Sequence, residues 1–159
     1  MRTINTDRLY LRPMAEGEWL RIVDRVFEAN ESYTLFACEV TREVAEKSNF
    51  RYVIHYTIML PFTRDMIGYV EFTPWTKNIA YYIFEEYRHQ GFTYEGVKAF
   101  MEACMRGEIS GYPERVFYAD VVDYNVPSKR LLRKLGFHED DYGFYYDPER
   151  EEEIEEKVA

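Results

Sequence analysis

The stretch from Ile79 to Val122 does most to limit the folds open to this chain. It reads "IAYYIF", then "YRHQGFTYEG", then a run that sets Val97, Phe100, Met101, Cys104 and Met105 on one helical face, then "RVFYADVV". A strand, a turn, a helix and a second strand in that order form a crossover unit. Its two strands lie parallel in one sheet, and the connection is right-handed. The helix covers one face of the sheet, so the rest of the chain must extend the sheet and cover its other face.

The flanking segments supply such elements. "RLYLRP", from Arg8 to Pro13, alternates and stops at proline, as a strand does. Trp19, Ile22, Val23, Val26 and Phe27 recur at helical spacing and predict a helix over 16–29. Thr41 is placed to cap a short helix running to Ser48. Tyr52 to Leu60 and Met66 to Thr73 read as hairpin partners about the turn at Pro61 to Asp65. After the crossover, Pro127 suits a first helical turn, and the helix runs through Leu131, Leu132 and Leu135 to Gly136. "GFHEDDYGFYYD" closes the domain with a hairpin. The expectation is an α/β (α+β) fold with a mixed, mostly antiparallel central sheet and about four flanking helices.

The chain has 159 residues, enough for one domain with a real core. Its formal charge is −9, of which −5 lies between Asp147 and Lys157. The predicted organisation is therefore a single domain over 1–148 and an acidic, solvated, frayed tail over 149–159. A mildly acidic body argues against nucleic acid, which needs a basic face, and slightly favours a cationic substrate. Cys38 and Cys104 make no disulfide framework. No apolar run reaches bilayer length, and the first residues carry no signal-like core. A reduced, cytoplasmic protein with no membrane partner is the reading. His55 and His138 have no metal-ligand spacing, so no metal site is expected.

The turn "YRHQGFTYEG" feeds a helix N-terminus, where several backbone N–H groups lack helical partners. Those groups and the helix dipole attract anions. Gly91 lets the backbone approach a ligand with no Cβ in the way. Arg88, His89 and Gln90 add donors. A phosphate or pyrophosphate is the physical answer; a plain solvated turn is the alternative. The glycine spacing fits neither the dinucleotide fingerprint nor the P-loop.

The same turn, together with Asn125, Ser128 and "KLGF" from Lys134 to Phe137, resembles the GNAT superfamily of acyl-CoA N-acyltransferases. Arg88 and Gly91 meet the family's Gln/Arg-x-x-Gly-x-Gly/Ala pattern, and Thr93 departs from its last position. The opening "TDRLYLRP" looks like the branch acting on ribosomal-protein N-termini and related amines. The resemblance implies acetyl-CoA as cosubstrate. The main-chain N–H groups of Gln90, Gly91, Phe92 and Thr93 would hold its pyrophosphate, with Arg88 and His89 at the rim. Its arm would lie between splayed fourth and fifth strands, pairing with main chain near Ile83 and Phe84 as an added strand does. Asn125 would bond the arm or cap the next helix, Ser128 would contact it or satisfy the first helical turn, and Arg130 would meet the 3′-phosphate or water.

Acetyl transfer to an amine needs a path for the amine's proton and support for an oxyanion. A lysine-like amine has a pKa near ~10.4 and an α-amino group near ~8, so the second needs less help. The family's usual glutamate position holds Asn78 here, and its usual tyrosine acid position holds Leu132. Glu71 is the first candidate base and Tyr82 the second; for each, an ordinary strand or packing role is the alternative. The acceptor, a small-molecule or peptide N-terminal amine, would meet the weakly patterned Glu28–Phe50 segment and the terminal hairpin. A homodimer is implied by the resemblance alone. An inactive acyl-CoA-binding module is the rival to an enzyme.

Overall fold

The computed structural model describes residues 2–48 and 52–159, so the end of the Glu28–Phe50 segment lies outside the described residues. One eight-stranded sheet runs through the molecule in the order β1-β2-β3-β4-β5-β6-β8-β7. Its strands are β1 (Ile4–Asn5), β2 (Tyr10–Pro13), β3 (Ile54–Met59), β4 (Met66–Thr73), β5 (Asn78–Ile83), β6 (Phe117–Ala119), β7 (His138–Asp140) and β8 (Gly143–Tyr146). Neighbours pair antiparallel except β5 and β6, which are parallel as the crossover requires. The helices are α1 (Glu18–Glu28), α2 (Ser32–Phe36), α3 (Arg42–Glu46), α4 (Phe92–Met105), α5 (Val126–Lys134) and α6 (Pro148–Val158).

Strand alternation sorts the side chains into two cores. On one face, Tyr56, Val70, Phe72, Ile79 and Phe117 pack against Val97, Phe100 and Cys104 of α4, with Leu132 of α5 in the same cluster. On the other, Tyr69 and Tyr82 pack against Trp19, Ile22, Val23 and Val26 of α1 and Ala45 of α3. The Trp19 indole donates to the Ala45 carbonyl at 2.8 Å. Glu18 anchors the start of α1: it takes both Nη1 and Nη2 of Arg12 at 2.7 Å, with Thr57 Oγ1 donating at 3.0 Å.

Three elements differ from the sequence reading. β1 and α2 span two and five residues, too short for periodicity to declare. The tail is not frayed: Pro148–Val158 is helical, with Asp147 accepting from the Arg150 backbone N–H at its start. Glutamates in its first turn favour the positive end of the helix dipole. Tyr145 OH donates to Glu151 at 2.7 Å, and Arg150 pairs with Asp140 at 2.9 Å, tying the helix to the terminal hairpin.

β4 and β5 approach closely at Gly68. A Cβ there would stand 2.0 Å from the Tyr82 carbonyl oxygen, so only glycine lets the two strands keep their register.

Candidate active site

β5 and β6 pair at a single register position, Asn78 with Tyr118, where Tyr118 N–H donates to the Lys77 carbonyl at 2.8 Å. Beyond it the strands part. Phe84 N–H donates to the Ile67 carbonyl at 2.8 Å. By the alternation of an antiparallel ladder, even-numbered residues of β5 therefore face β4; Ile79 spends its N–H on Tyr118 to complete the one bridge, and Tyr81 and Ile83 turn their N–H and C=O groups to the open side. A cleft of about 560 Å³ fills the gap.

Two helix N-termini close one side of the cleft. Gly91, at φ 80°, is the N-cap of α4, and no side chain caps that end. The first intrahelical bond runs from Glu95 N–H to the Gly91 carbonyl at 3.1 Å, so Phe92, Thr93 and Tyr94 keep N–H groups with no helical acceptor. Asn125 caps α5, its Oδ1 accepting from the Ser128 N–H at 3.3 Å. The Ser128 hydroxyl lies 2.7 Å from Tyr81 OH. Burial pushes the Tyr81 phenol up to about 12.

The opposite wall is built from side chains. Arg88 donates through Nη1 and Nη2 to the two Glu31 oxygens, each at 3.0 Å, and through Nε to the Ile83 carbonyl at 2.9 Å. Tyr82 OH donates to Glu31 Oε1 at 2.7 Å. Burial raises the Glu31 carboxyl, but the hydrogen bonds from Arg88 and Tyr82 outweigh it and hold the group below its ordinary value. Burial, then the Glu31 carboxylate, raise the Tyr82 phenol. Tyr82 thus keeps its proton at neutral pH. Thr34 Oγ1 and Tyr124 OH are 2.9 Å apart, joining α2 to the loop before α5.

Most of the predicted binding residues converge here. Ile83, Arg88, His89, Gly91, Phe92 and Thr93 line the cleft, as do Asn125, Ser128 and Arg130 on the α5 side. Two do not line it. Phe84 spends its N–H on Ile67 and packs its ring in the α1 core, under the Arg25 guanidinium at 4.1 Å. Gln90 turns its carbonyl to Arg8 Nη1 at 2.8 Å. Of the two candidate bases, Tyr82 lines the cleft and Glu71 does not; Glu71 lies 2.6 Å from His55 Nε2. Among the described residues no cluster of metal-binding side chains occurs.

Sequence reasoning missed two carboxylates that line the cleft, Glu31 and Asp120. Glu31 carries no local signal, because its partner Arg88 is 57 residues away. Asp120 stands one residue past the end of β6, beside the parted strands, where strand alternation no longer marks it. It is exposed and has no ion pair among the described residues.

Comparison with known proteins bears on the family and the fold. The family model of the GNAT acetyltransferase domain matches residues 7–138. Curated proteins give no match. An acetyltransferase from Agrobacterium tumefaciens superposes with a TM-score of 0.72 at 19% identity, covering 92% of this chain and 93% of that one. A ribosomal L7/L12 α-N-protein acetyltransferase in complex with coenzyme A gives 0.65 at 20% identity, covering 87% and 85%. Spermidine N-acetyltransferase from Vibrio cholerae, in complex with CoA and spermine, gives 0.66 at 16% identity, covering 85% and 83%. At these identities the likeness is one of fold.

Proposed function

The chain belongs to the GNAT acetyltransferase family, and from that premise we propose that it transfers the acetyl group of acetyl-CoA to a primary amine by direct attack. The observation that carries the reading is the parting of β5 from β6 beside an uncapped α4 N-terminus. The diphosphate rests on the N–H groups of Gly91, Phe92 and Thr93, where dipole and free donors favour an anion. The arm runs along the open edge of β5, pairing with Tyr81 as an added strand would. Ile83 offers only its N–H there, because Arg88 occupies its carbonyl.

In the reaction the amine nitrogen bonds to the thioester carbon, the carbon–sulfur bond breaks, and the amine loses one proton. Main-chain N–H groups on the open edge of β5 support the oxyanion. Glu31 is engaged by Arg88 and Tyr82, and Glu71 by His55. Asp120 is the carboxylate left to receive the proton, directly or through water. The leaving thiolate has an ordinary pKa of roughly 8.5, so it departs with little protonation. Leu132 at the usual acid position is then no obstacle.

The acceptor is a small-molecule or peptide N-terminal amine, and the exposed carboxylate of Asp120 suits a cation. A cytoplasmic homodimer completes this reading. The test is thiol release from acetyl-CoA over a panel of polyamines, amino acids and peptides, with and without each amine. Release that depends on an amine is the expected result. Tight CoA binding without release would favour the second reading, a CoA-binding module, for which Asn78 and Leu132 at the usual glutamate and tyrosine positions speak.

A further inference from the structure

Arg8 reaches the turn before α4 from the far end of the chain. Its Nη1 donates to the Gln90 carbonyl and its Nε to Glu95 Oε1, both at 2.8 Å. The guanidinium lies over the Phe92 ring, 4.5 Å from its centroid. The surrounding segment is tied to the same helix. Arg8 N–H donates to Glu95 Oε2 at 3.1 Å, and Thr6 Oγ1 donates to that oxygen at 2.5 Å. Arg8 itself does not line the cleft, whereas Gly91 does.

A trans peptide is planar, and its C=O and N–H point in opposite directions. The peptide joining Gln90 to Gly91 has its carbonyl held on the Arg8 side, so the Gly91 N–H is turned away from Arg8. A Cβ on Gly91 would stand 3.2 Å from Arg8 Nη2, which shows how closely the guanidinium backs the turn. A free peptide here could rotate and present its carbonyl to the ligand, which an anion would be repelled by.

We infer that Arg8 is a positioning residue for the donor substrate: by holding the Gln90 carbonyl outward, it aims the Gly91 N–H at the diphosphate without touching the ligand. This rests on the reading of the cleft as an acetyl-CoA site. It differs from a role in stability alone, which would tie the N-terminal segment to α4 and do nothing for ligand choice.

The experiment measures Kd for CoA, and kcat/KM with acetyl-CoA and with acetyl-pantetheine, which lacks the diphosphate, in the wild type and Arg8→Gln. Glu95→Gln, which loosens the same clamp, serves as the second variant should Arg8→Gln not fold. The expected result is about a tenfold weaker Kd for CoA in Arg8→Gln, the worth of one charge-assisted hydrogen bond. The ratio of kcat/KM for acetyl-CoA over acetyl-pantetheine falls by the same factor, and Glu95→Gln moves both in the same direction by a smaller one. Equal loss with both donors would assign Arg8 to the fold and overturn the inference. CoA binding within twofold of wild type would overturn it while leaving the proposed function standing. Failure of the wild type itself to bind CoA would overturn the reading of the cleft and the inference with it.

Discussion

Tyr81 and Tyr82 are neighbours on β5, yet they belong to two different walls. Tyr81 faces α4 and α5 and meets Ser128, a residue in the first turn of a helix. Tyr82 faces α1 and α2 and meets Glu31, which Arg88 also grips. The first wall is made largely of backbone: helix ends and a free strand edge. The second is made of charged side chains brought together over long sequence distances. In the proposed reading, backbone recognises what is common to every turnover, the donor. Side chains can be exchanged without altering the fold, which is where a family varies its acceptor.

The largest effect should come from the position that serves both walls. Gly68→Val drives a side chain into the Tyr82 carbonyl and the Ile83 backbone. We expect a loss of about 3 kcal/mol, or roughly 6–12 °C in Tm, with both substrates affected alike. A thermal melt within one or two degrees of wild type would show that β4 and β5 are not as close as described.

A pair of single substitutions should then separate the walls. Gly91→Ala places a side chain at φ 80°, costing about 1 kcal/mol, and should raise the KM for acetyl-CoA about fivefold while sparing that for the acceptor. Glu31→Gln weakens its bonds to Arg88 and Tyr82, also by about 1 kcal/mol, and should act mainly on the acceptor's KM. Steady-state kinetics with each substrate varied in turn checks both. Reversal of the pattern would exchange the roles of the two walls.

Alkaline titration gives a subtler separation. Both phenols have raised pKa values in the folded chain, while an unfolded tyrosine ionises near ~10. Above that pH the unfolded state binds fewer protons than the folded one, so stability falls as pH rises. The contribution is intact below about pH 10 and, for Tyr81, is lost progressively toward its folded value of about 12. Phenolate absorbance should show Tyr81 and Tyr82 ionising late in the alkaline range. Glu31→Gln should bring Tyr82 downward and leave Tyr81 unchanged, because Glu31 contributes to the first shift only. The smallest effect is Ser128→Ala, which removes one hydroxyl partner of Tyr81 and should cost about 0.5–1.5 kcal/mol by denaturant unfolding.

The same contrast explains what could be read before the fold was known. The crossover, both long strands and α4 announce themselves through hydrophobic spacing, and the glycine-bearing turn at Arg88 and Gly91 reads as an anion site through local chemistry, whereas Asn125 and Ser128 enter only through the resemblance to the GNAT superfamily. Glu31 gives no such signal. It follows α1 in a segment without clear periodicity and acquires meaning only when Arg88 and Tyr82 fold onto it. Glu71 was attractive because alternation takes it off the Val70 face, but alternation alone cannot say that His55 stands opposite it. Phe84 reads as an extension of the open edge, yet the parity of the β4–β5 ladder points its N–H the wrong way. The acidic tail shows high charge, and charge alone does not distinguish a solvated helix from a frayed end.

The central claim is that amides at the start of α4 grip the donor's diphosphate beside the parted strands. Backbone ¹⁵N–¹H resonances recorded while CoA is added test it directly. The account predicts large, saturable shifts for Gly91, Phe92 and Thr93, together with Tyr81 and Ile83 on the open edge of β5. Binding that leaves those amides unmoved, or no binding at all, would contradict it.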